Sequence, residues 1–194
     1  MTHKPKILAL AGSLRKDSLN KKLVKIAMRG AQEHGAEVTY VDLRDLPMPI
    51  YDGDLEAAEG MPKNAQIFKD LLLGHQGLLI ASPEYNSSIS GVLKNAIDWA
   101  SRPAPGEPMV YAFIGKVAGL MSASPGGFGG LRGLVSLRSI LGNIKVLVLP
   151  DQVCISSAHQ AFDEGGSLKD KKQEEGVLKL GSEVAKLCSK LQAK

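Results

Sequence analysis

The feature that most constrains the fold is an alternation of short apolar runs with segments of helical periodicity. The runs lie at residues 7–11, 37–41, 77–81, 117–121 and 145–149. Between them, apolar side chains recur every three or four residues, the spacing of one helix face. Strict alternation of these two patterns is typical of βαβ units built around a parallel sheet. We therefore predict five parallel strands at these positions.

The intervening segments predict five helices. Four of them cover residues 18–34, 63–75, 91–101 and 131–141. The fifth carries a C-terminal stripe of small and apolar side chains, namely Val177, Leu180, Gly181, Val184, Leu187, Cys188 and Leu191. Residues 45–62 are rich in Pro, Gly and Asp and predict a long ordered loop. Five strands interleaved with five helices predict one α/β domain over residues 1–194, a doubly wound sheet with helices on both faces. This size suits the flavodoxin-like strand order 2-1-3-4-5.

Composition sets limits on compartment and partners. No apolar run approaches the ~18–20 residues of a membrane span, so none is expected. The apolar run after residue 6 spans only about five residues, too few for a signal-peptide core. Two cysteines, Cys154 and Cys188, cannot form a disulfide scaffold and are expected to pack as small apolar residues, which favours a cytoplasmic location. The sequence has 24 basic and 20 acidic residues, a formal net charge of +4. Residues 169–194 account for +3 of this charge, because they contain seven lysines and four acidic residues. We interpret this charge as a solvated helix face and expect no nucleic-acid partner.

In an open parallel sheet, ligands bind beyond the carboxyl ends of the strands. The loop after the first strand, Gly12–Asn20, leads into a helix N-terminus, where free N–H groups and the helix dipole favour an anion. Its candidate phosphate-binding side chains are Ser13, Arg15, Ser18 and Asn20. The alternative is a simple helix cap at Asp17 or Ser18, with Arg15 solvated.

The loop after the third strand, Ser82–Gly91, contains Pro83, Glu84, Tyr85 and Asn86. A planar ligand can stack on Tyr85 while the backbone amides of residues 84–86 bind its heteroatoms. The alternative is a proline-initiated turn whose polar side chains satisfy the local backbone. The following helix is expected to place Lys94, Asn95 and Asp98 on its polar side, from which they can cap or orient this loop.

The loop after the fourth strand, Ser122–Gly130, holds four glycines within residues 126–130. Such a loop brings backbone close to a ligand and presents N–H groups in a concave nest. The alternative is a flexible lid or a plain surface loop.

Several common sites are missing from the sequence. There is no Gly-Lys-Ser/Thr phosphate loop, and Arg132 stands where a Gly-x-Gly-x-x-Gly pattern needs its last glycine. There is no Gly-x-Ser-x-Gly nucleophile elbow. The four histidines, His3, His34, His75 and His159, are not at metal-ligand spacing. Loops suited to an anionic planar cofactor, without an evident nucleophile or metal site, are typical of an enzyme whose cofactor carries the chemistry.

Two motifs taken together resemble the NADPH-dependent FMN reductase family, which includes quinone, chromate and azo-compound reductases. They are Gly12-Ser-Leu-Arg-x-x-Ser-x-Asn20 and Pro83-Glu-Tyr-Asn-x-Ser…Gly-x-Leu-Lys-Asn-Ala-Ile-Asp-Trp99. The intervening Leu46-Pro-x-Pro-x-Tyr-Asp52 and the later glycine loop agree in order and spacing, and the likeness runs from about residue 6 to 150.

The resemblance implies an NAD(P)H oxidoreductase in which FMN takes hydride from NADPH or NADH and passes it to a small-molecule electron acceptor. It implies that Ser13, Arg15, Ser18 and Asn20 hold the FMN phosphate. Pro83, Glu84, Tyr85 and Asn86 would lie along the isoalloxazine and ribityl chain, and Ser124, Gly126 and Gly127 would reach the pyrimidine side. It further implies a homodimer or homotetramer with shared clefts, and for Arg132 a place at an interface near the flavin.

One departure from the family pattern is Ser90, where many relatives have proline, and we expect it to loosen the turn before Gly91. The alternative function, from another class, is a flavodoxin-like electron carrier that does not itself oxidise NAD(P)H. Such carriers resemble acidic proteins with Thr-rich phosphate loops, whereas this chain is basic and uses Ser, Arg and Asn.

Overall fold

The structure is a computed structural model that describes residues 4–192; His3 and the outermost residues of the predicted domain lie outside this range. Within it, five parallel strands form one sheet in the order β2-β1-β3-β4-β5. They are β1 (Lys6–Ala11), β2 (Glu37–Asp42), β3 (Gly77–Ala81), β4 (Val117–Ala123) and β5 (Leu147–Ile155). The predicted flavodoxin-like order is confirmed.

The helices between residues 4 and 192 number seven. They are α1 (Leu19–Glu33), α2 (Gly53–Glu59), α3 (Lys63–Leu73), α4 (Gly91–Ala100), α5 (Leu131–Asn143), α6 (Ala158–Ala161) and α7 (Lys171–Gln192), with a 3-10 turn at Tyr111–Phe113. The five predicted helices correspond to α1, α3, α4, α5 and α7. The prediction of an unbroken loop over residues 45–62 is wrong, because α2 lies within it. This helix buries no residue, so it has no apolar stripe, and it is capped by the Asp52 carboxylate.

Helices cover both faces of the sheet. Because successive strand residues point to opposite faces, Ile7 and Ala9 of β1 pack under α1 and α7, whereas Leu8 and Leu10 pack under α3, α4 and α5. Of the predicted stripe of α7, Val177, Leu180, Gly181, Val184 and Cys188 are buried, whereas Leu187 is only half-buried. Leu191, predicted to continue it, is exposed instead. No helix in the described range is long and apolar enough to cross a membrane.

Helices α1 and α7 touch backbone to backbone at two glycines. A methyl group at Gly181 of α7 would lie 1.9 Å from the carbonyl oxygen of Ala27 in α1. A methyl group at Gly30 of α1 would lie 2.0 Å from the carbonyl oxygen of Leu178 in α7. Only residues without a side chain permit the two helices to cross this closely. Gly181, which belongs to the predicted stripe, is therefore a point of contact between α7 and α1.

Strand β5 lies at the edge of the sheet and runs past its predicted end at residue 149. Its residues 149–151 bulge out opposite the single residue Gly119, and pairing with β4 resumes at Gln152. Pro150 lies in this bulge, where its missing N–H costs no ladder hydrogen bond. The Arg138 guanidinium donates to the carbonyl oxygens of Leu149 (2.7 Å) and Pro150 (3.3 Å). The predicted strand ends before Pro150, whereas β5 continues through it because an edge strand tolerates proline.

Candidate active site

The three loops singled out in the sequence meet in one open cleft at the carboxyl end of the sheet. Its volume is about 240 Å³. The lining residues are Ser13, Arg15, Ser18, Leu19, Asn20, Pro83, Glu84, Tyr85, Ala123, Ser124 and Pro125. Ligand pockets usually span about 300–1,000 Å³, so a large ligand would occupy the cleft with one part and extend over the open surface with another.

Ser18 confirms the helix-cap interpretation of the first loop, while its role in phosphate binding stays a prediction. It is the N-cap of α1, where its hydroxyl accepts from the amide of Lys21, and it also lines the cleft. The amide of Lys22 donates to the Ser18 carbonyl. This leaves the first-turn amides of Leu19 and Asn20, two residues that line the cleft, outside the helical ladder. An anion placed there meets backbone N–H groups and the positive end of the α1 dipole.

Arg15 supplies the positive charge of the cleft. Its backbone amide donates to the buried Ser13 hydroxyl at 3.3 Å, which holds the loop in a tight bend. Its guanidinium has no carboxylate partner within residues 4–192. By contrast, Arg29 is paired with Glu174 and Arg102 with Glu56. The Arg15 guanidinium is therefore available to a ligand.

Asn20 joins α1 to the end of β4. Its side-chain amide donates to the Ala123 carbonyl and its side-chain oxygen accepts from the Ala123 amide, both at 2.9 Å. The side chain is buried, and one hydrogen of its NH₂ group is left over for another acceptor. Asn20 thus fixes the phosphate-type loop against the glycine loop, a role that a separation of 103 residues hides from sequence reasoning.

The tyrosine turn (residues 82–88) ends in a two-residue hairpin. Tyr85 and Ser88 exchange two backbone hydrogen bonds of 3.0 Å, and Asn86 and Ser87 both have positive φ, 50° and 63°. Left-handed backbone at two successive non-glycine residues is costly and persists only where the surroundings hold it. The Tyr85 side chain remains 54% exposed at the edge of the cleft. A rigid turn therefore presents an aromatic ring to solvent.

Glu84 holds the tyrosine turn against α5. One carboxylate oxygen accepts from Arg132 Nε at 3.2 Å and the other from the backbone amide of Gly133 at 3.1 Å. A methyl group at Gly133 would lie 3.1 Å from the Ser88 carbonyl oxygen, so glycine permits this close approach. The negative carboxylate also caps the N-terminus of α5, which has no side-chain cap of its own. Sequence reasoning paired Glu84 with the cofactor and missed this link, since no spacing signal connects residues 48 apart.

In the glycine loop (residues 124–130), the Ser124 hydroxyl accepts from the amide of Gly126 at 3.2 Å. Around Gly127, a methyl group would meet nothing within 4 Å, so its backbone faces open space. Gly129 and Gly130 have positive φ, 59° and 87°, and bring the chain against the ends of β5 and β4, respectively. Cys154 lies half-buried near this loop, and burial together with the charge of Glu84 raises the pKa of its thiol.

Two expectations about helix α4 are wrong. Ser90 does not loosen the turn: its hydroxyl donates to the Gly12 carbonyl at 2.6 Å and caps α4 by accepting from Leu93. Asn95 is not on a polar face oriented toward the tyrosine turn. It is buried, accepts from the Tyr51 amide and donates to the Pro49 carbonyl, both at 2.8 Å. It therefore anchors the loop before α2, while Lys94 and Asp98 form an exposed ion pair.

The chain is similar to known proteins over most of its length. The model of the NADPH-dependent FMN reductase family matches residues 5–160. An NAD(P)H-dependent FMN reductase of Pseudomonas aeruginosa is 41% identical over 171 residues, 88% of each chain. An NAD(P)H:quinone oxidoreductase of Solanum tuberosum is 37% identical and covers 97% of this chain and 95% of its own length. Among solved structures, a flavoenzyme NAD(P)H:(acceptor) oxidoreductase from Paracoccus denitrificans has a TM-score of 0.79 at 29% identity, over 96% of this chain and 98% of its own.

A five-stranded parallel sheet in this order, with its cleft at the carboxyl end, defines a flavodoxin-like α/β protein. The chain belongs to the NADPH-dependent FMN reductase family.

Proposed function

We propose that this chain is an FMN-dependent NAD(P)H oxidoreductase, in which hydride passes from NADPH or NADH to FMN and then to a quinone or a similar small acceptor. The observation that carries the proposal is the meeting of the three loops in one cleft, in a member of the FMN reductase family. When bound, FMN supplies the hydride-transfer chemistry. The chain's own groups bind and orient it.

The donors of the first loop suit the phosphate. Within the cleft, Arg15 offers an unpaired guanidinium, Ser13 and Ser18 offer hydroxyls, and Asn20 offers its remaining amide hydrogen. The free amides at the start of α1 complete this set of donors, and the first turn of α1 contains no acidic residue. Such a set binds a dianionic phosphate without a metal ion.

The other two loops suit the planar part of the cofactor. The backbone of Pro83 and Glu84, which line the cleft, would run beside the isoalloxazine and ribityl chain, with the Tyr85 ring against the planar system. Asn86, the next residue of the tyrosine turn, is not among the lining residues, and its contact with the cofactor stays a prediction. Ser124, Gly126 and Gly127 would address the pyrimidine side, where backbone N–H groups stabilise negative charge that develops on reduction. Glu84 would position the tyrosine turn for the cofactor, because its two carboxylate oxygens already accept hydrogen bonds from Arg132 and Gly133.

The absorbance spectrum of the purified protein tests this proposal. It should show bound flavin, NADPH should bleach that flavin without oxygen, and quinone should restore it. A panel with quinones, chromate and azo compounds, run with NADPH and NADH, identifies the acceptor class. A colourless protein that takes up no FMN on titration would refute the proposal. Bound FMN without NAD(P)H oxidation would instead indicate an electron carrier.

Assembly and location are part of the same proposal. We expect a homodimer or homotetramer, which light scattering of the purified protein measures directly, and a cytoplasmic location, which cell fractionation measures. The free state of both cysteines supports a reducing compartment. The single-domain organisation over residues 1–194 would appear as one cooperative unfolding transition.

A further inference from the structure

The carbonyl oxygen of Gly12 lies where the pairing of β1 with β3 stops. Residue 11 of β1 is in register with residue 81 of β3, and the Gly12 amide donates to the Ala81 carbonyl at 2.9 Å. In a parallel ladder, the next hydrogen bond would run from the amide of residue 83 to the Gly12 carbonyl. Residue 83 is proline, which has no N–H. The continuation of β3 therefore cannot supply a donor to this carbonyl oxygen.

Ser90 supplies the missing donor from the start of α4. Its hydroxyl group donates its single hydrogen to the Gly12 carbonyl at 2.6 Å. The same oxygen accepts from the Leu93 amide at 3.3 Å, and Ser90 is only 3% exposed. The contact is close, because a methyl group at Gly12 would lie 3.0 Å from Leu93 Cβ and 3.2 Å from Ser90 Oγ. One buried hydroxyl group therefore joins α4 to the end of β1.

The hydrogen bond from Ser90 fixes the orientation of the peptide group that opens the first loop. The Gly12 carbonyl and the Ser13 amide belong to one planar trans peptide unit, so they point in opposite directions and turn together. Ser13 lines the cleft, and its hydroxyl accepts from the Arg15 amide. Holding the Gly12 carbonyl therefore also holds the Ser13 amide and the bend that carries Arg15.

Ser90 also follows closely on the tyrosine turn. The turn ends at Ser88, which exchanges two backbone hydrogen bonds with Tyr85, and the next residue, Ile89, is buried in the core. The Ser90 hydroxyl thus ties the loop that suits a phosphate to the turn that suits a planar ring. Donors held in place before binding give higher affinity, because less ordering remains to be done when the ligand arrives.

We propose that Ser90 is a positioning residue for the phosphate of the flavin, and that it favours a flavin with a 5′-phosphate over the same flavin without one. This inference rests on the proposed function and adds a determinant of cofactor selectivity to it. Ser90 is not among the residues that line the cleft, so it acts through Gly12 and the Ser13 amide. Its effect falls on the phosphate end of the ligand, because the tyrosine turn is closed by its own hydrogen bonds.

The test is a fluorescence titration of the flavin-free, full-length protein with FMN and with riboflavin, which has the same ring system and no phosphate. Ser90→Ala should raise Kd for FMN by about fivefold to tenfold, the equivalent of one hydrogen bond, and should leave Kd for riboflavin unchanged. Ser90→Thr keeps the hydroxyl group and should bind FMN like the wild type. Ser101→Ala is the matched control, because it removes a hydroxyl that donates to the Asp98 carbonyl at 2.7 Å, at the other end of α4. It should leave Kd for FMN unchanged.

The possible outcomes separate the role of Ser90 from the proposed function. An unchanged Kd for FMN in Ser90→Ala, or an equal loss for FMN and riboflavin, would overturn the positioning role. An equal loss in Ser101→Ala would also overturn it, because the effect would then come from the stability of α4. If riboflavin binds to none of the proteins, recovery of FMN binding in Ser90→Thr supports the role and failure to recover contradicts it. A wild type that binds no flavin refutes the proposed function itself, whereas FMN binding without NAD(P)H oxidation leaves the Ser90 comparison decisive.

Discussion

Replacing Gly181 with alanine should destabilise the fold through the α1–α7 crossing. The added methyl group would lie 1.9 Å from the Ala27 carbonyl oxygen and 3.1 Å from the Ala31 amide nitrogen. An ordinary contact needs about 3.4 Å, so the helices must separate by roughly 1.5 Å, and overpacking of this kind costs typically about 1–3 kcal/mol or more. Alanine returns about 1 kcal/mol of helix propensity. Because the clash is with backbone at 1.9 Å, the cost should lie at the upper end of this range, about 3 kcal/mol, and we expect a net loss of about 2 kcal/mol in the free energy of unfolding.

The matched control is Gly176→Ala in the same helix. A methyl group at Gly176 meets nothing within 4 Å, so the propensity gain should stand alone and stabilise the protein by up to about 1 kcal/mol. Urea denaturation followed by circular dichroism gives both free energies. Gly30→Ala in a Gly181→Ala background should cost less than in wild type, because the helices are already apart. Equal and favourable effects of Gly181→Ala and Gly176→Ala would refute the reasoning.

Three further predictions concern the cleft and the buried charge. Arg15→Ala should weaken FMN binding at least roughly tenfold in a fluorescence titration, while Arg44→Ala should leave it unchanged, because only Arg15 lies in the cleft. Asn20→Ala should lower the free energy of unfolding, measured in urea, by about 2 kcal/mol, because two buried hydrogen bonds to the Ala123 backbone are lost. Asn20→Asp should not restore the stability of the wild type, since a carboxylate cannot donate to the Ala123 carbonyl. Burial lowers the pKa of Lys116 to about 8 from an ordinary 10.5. The unfolded chain therefore holds this proton more tightly than the folded chain does. Because of this difference, the free energy of unfolding should rise with pH between these two pKa values. Relative to Lys116→Met, wild type should gain about 1 kcal/mol between pH 7.5 and 9 in urea titrations, and a constant difference would contradict the assignment.

The central strands were predictable because they are covered on both faces and are therefore almost continuously apolar, as in residues 77–81 of β3. The strand order was expected only because the chain size suits the flavodoxin-like arrangement, since the βαβ pattern does not specify which strands are neighbours. Helix α2 escaped prediction because it buries nothing and is held by polar contacts, among them the bond from Tyr51 to Glu56. The far half of β5 escaped because it continues beyond a proline.

The candidate site was predictable at the level of loops, since the ends of parallel strands necessarily share one edge. The roles of individual side chains were harder to predict from the sequence. Asn20, Glu84 and Asn95 are polar residues next to a binding loop, and each forms hydrogen bonds with a distant segment that no local pattern reveals. Ser90 shows the same limit: its hydroxyl reaches Gly12, 78 residues away, and supplies by hydrogen bonding the rigidity expected of a proline.

The bulge in β5 has a consequence for how folded chains behave toward one another. An edge strand with an unbroken row of free N–H and C=O groups is a template on which a second chain can add a strand. Here Pro150 offers no N–H, and Arg138 occupies the carbonyl oxygens of Leu149 and Pro150. The exposed edge is thereby divided into two short stretches, neither long enough to align a foreign strand in register. The local distortion thus makes this edge of the sheet a poor template for edge-to-edge polymerisation.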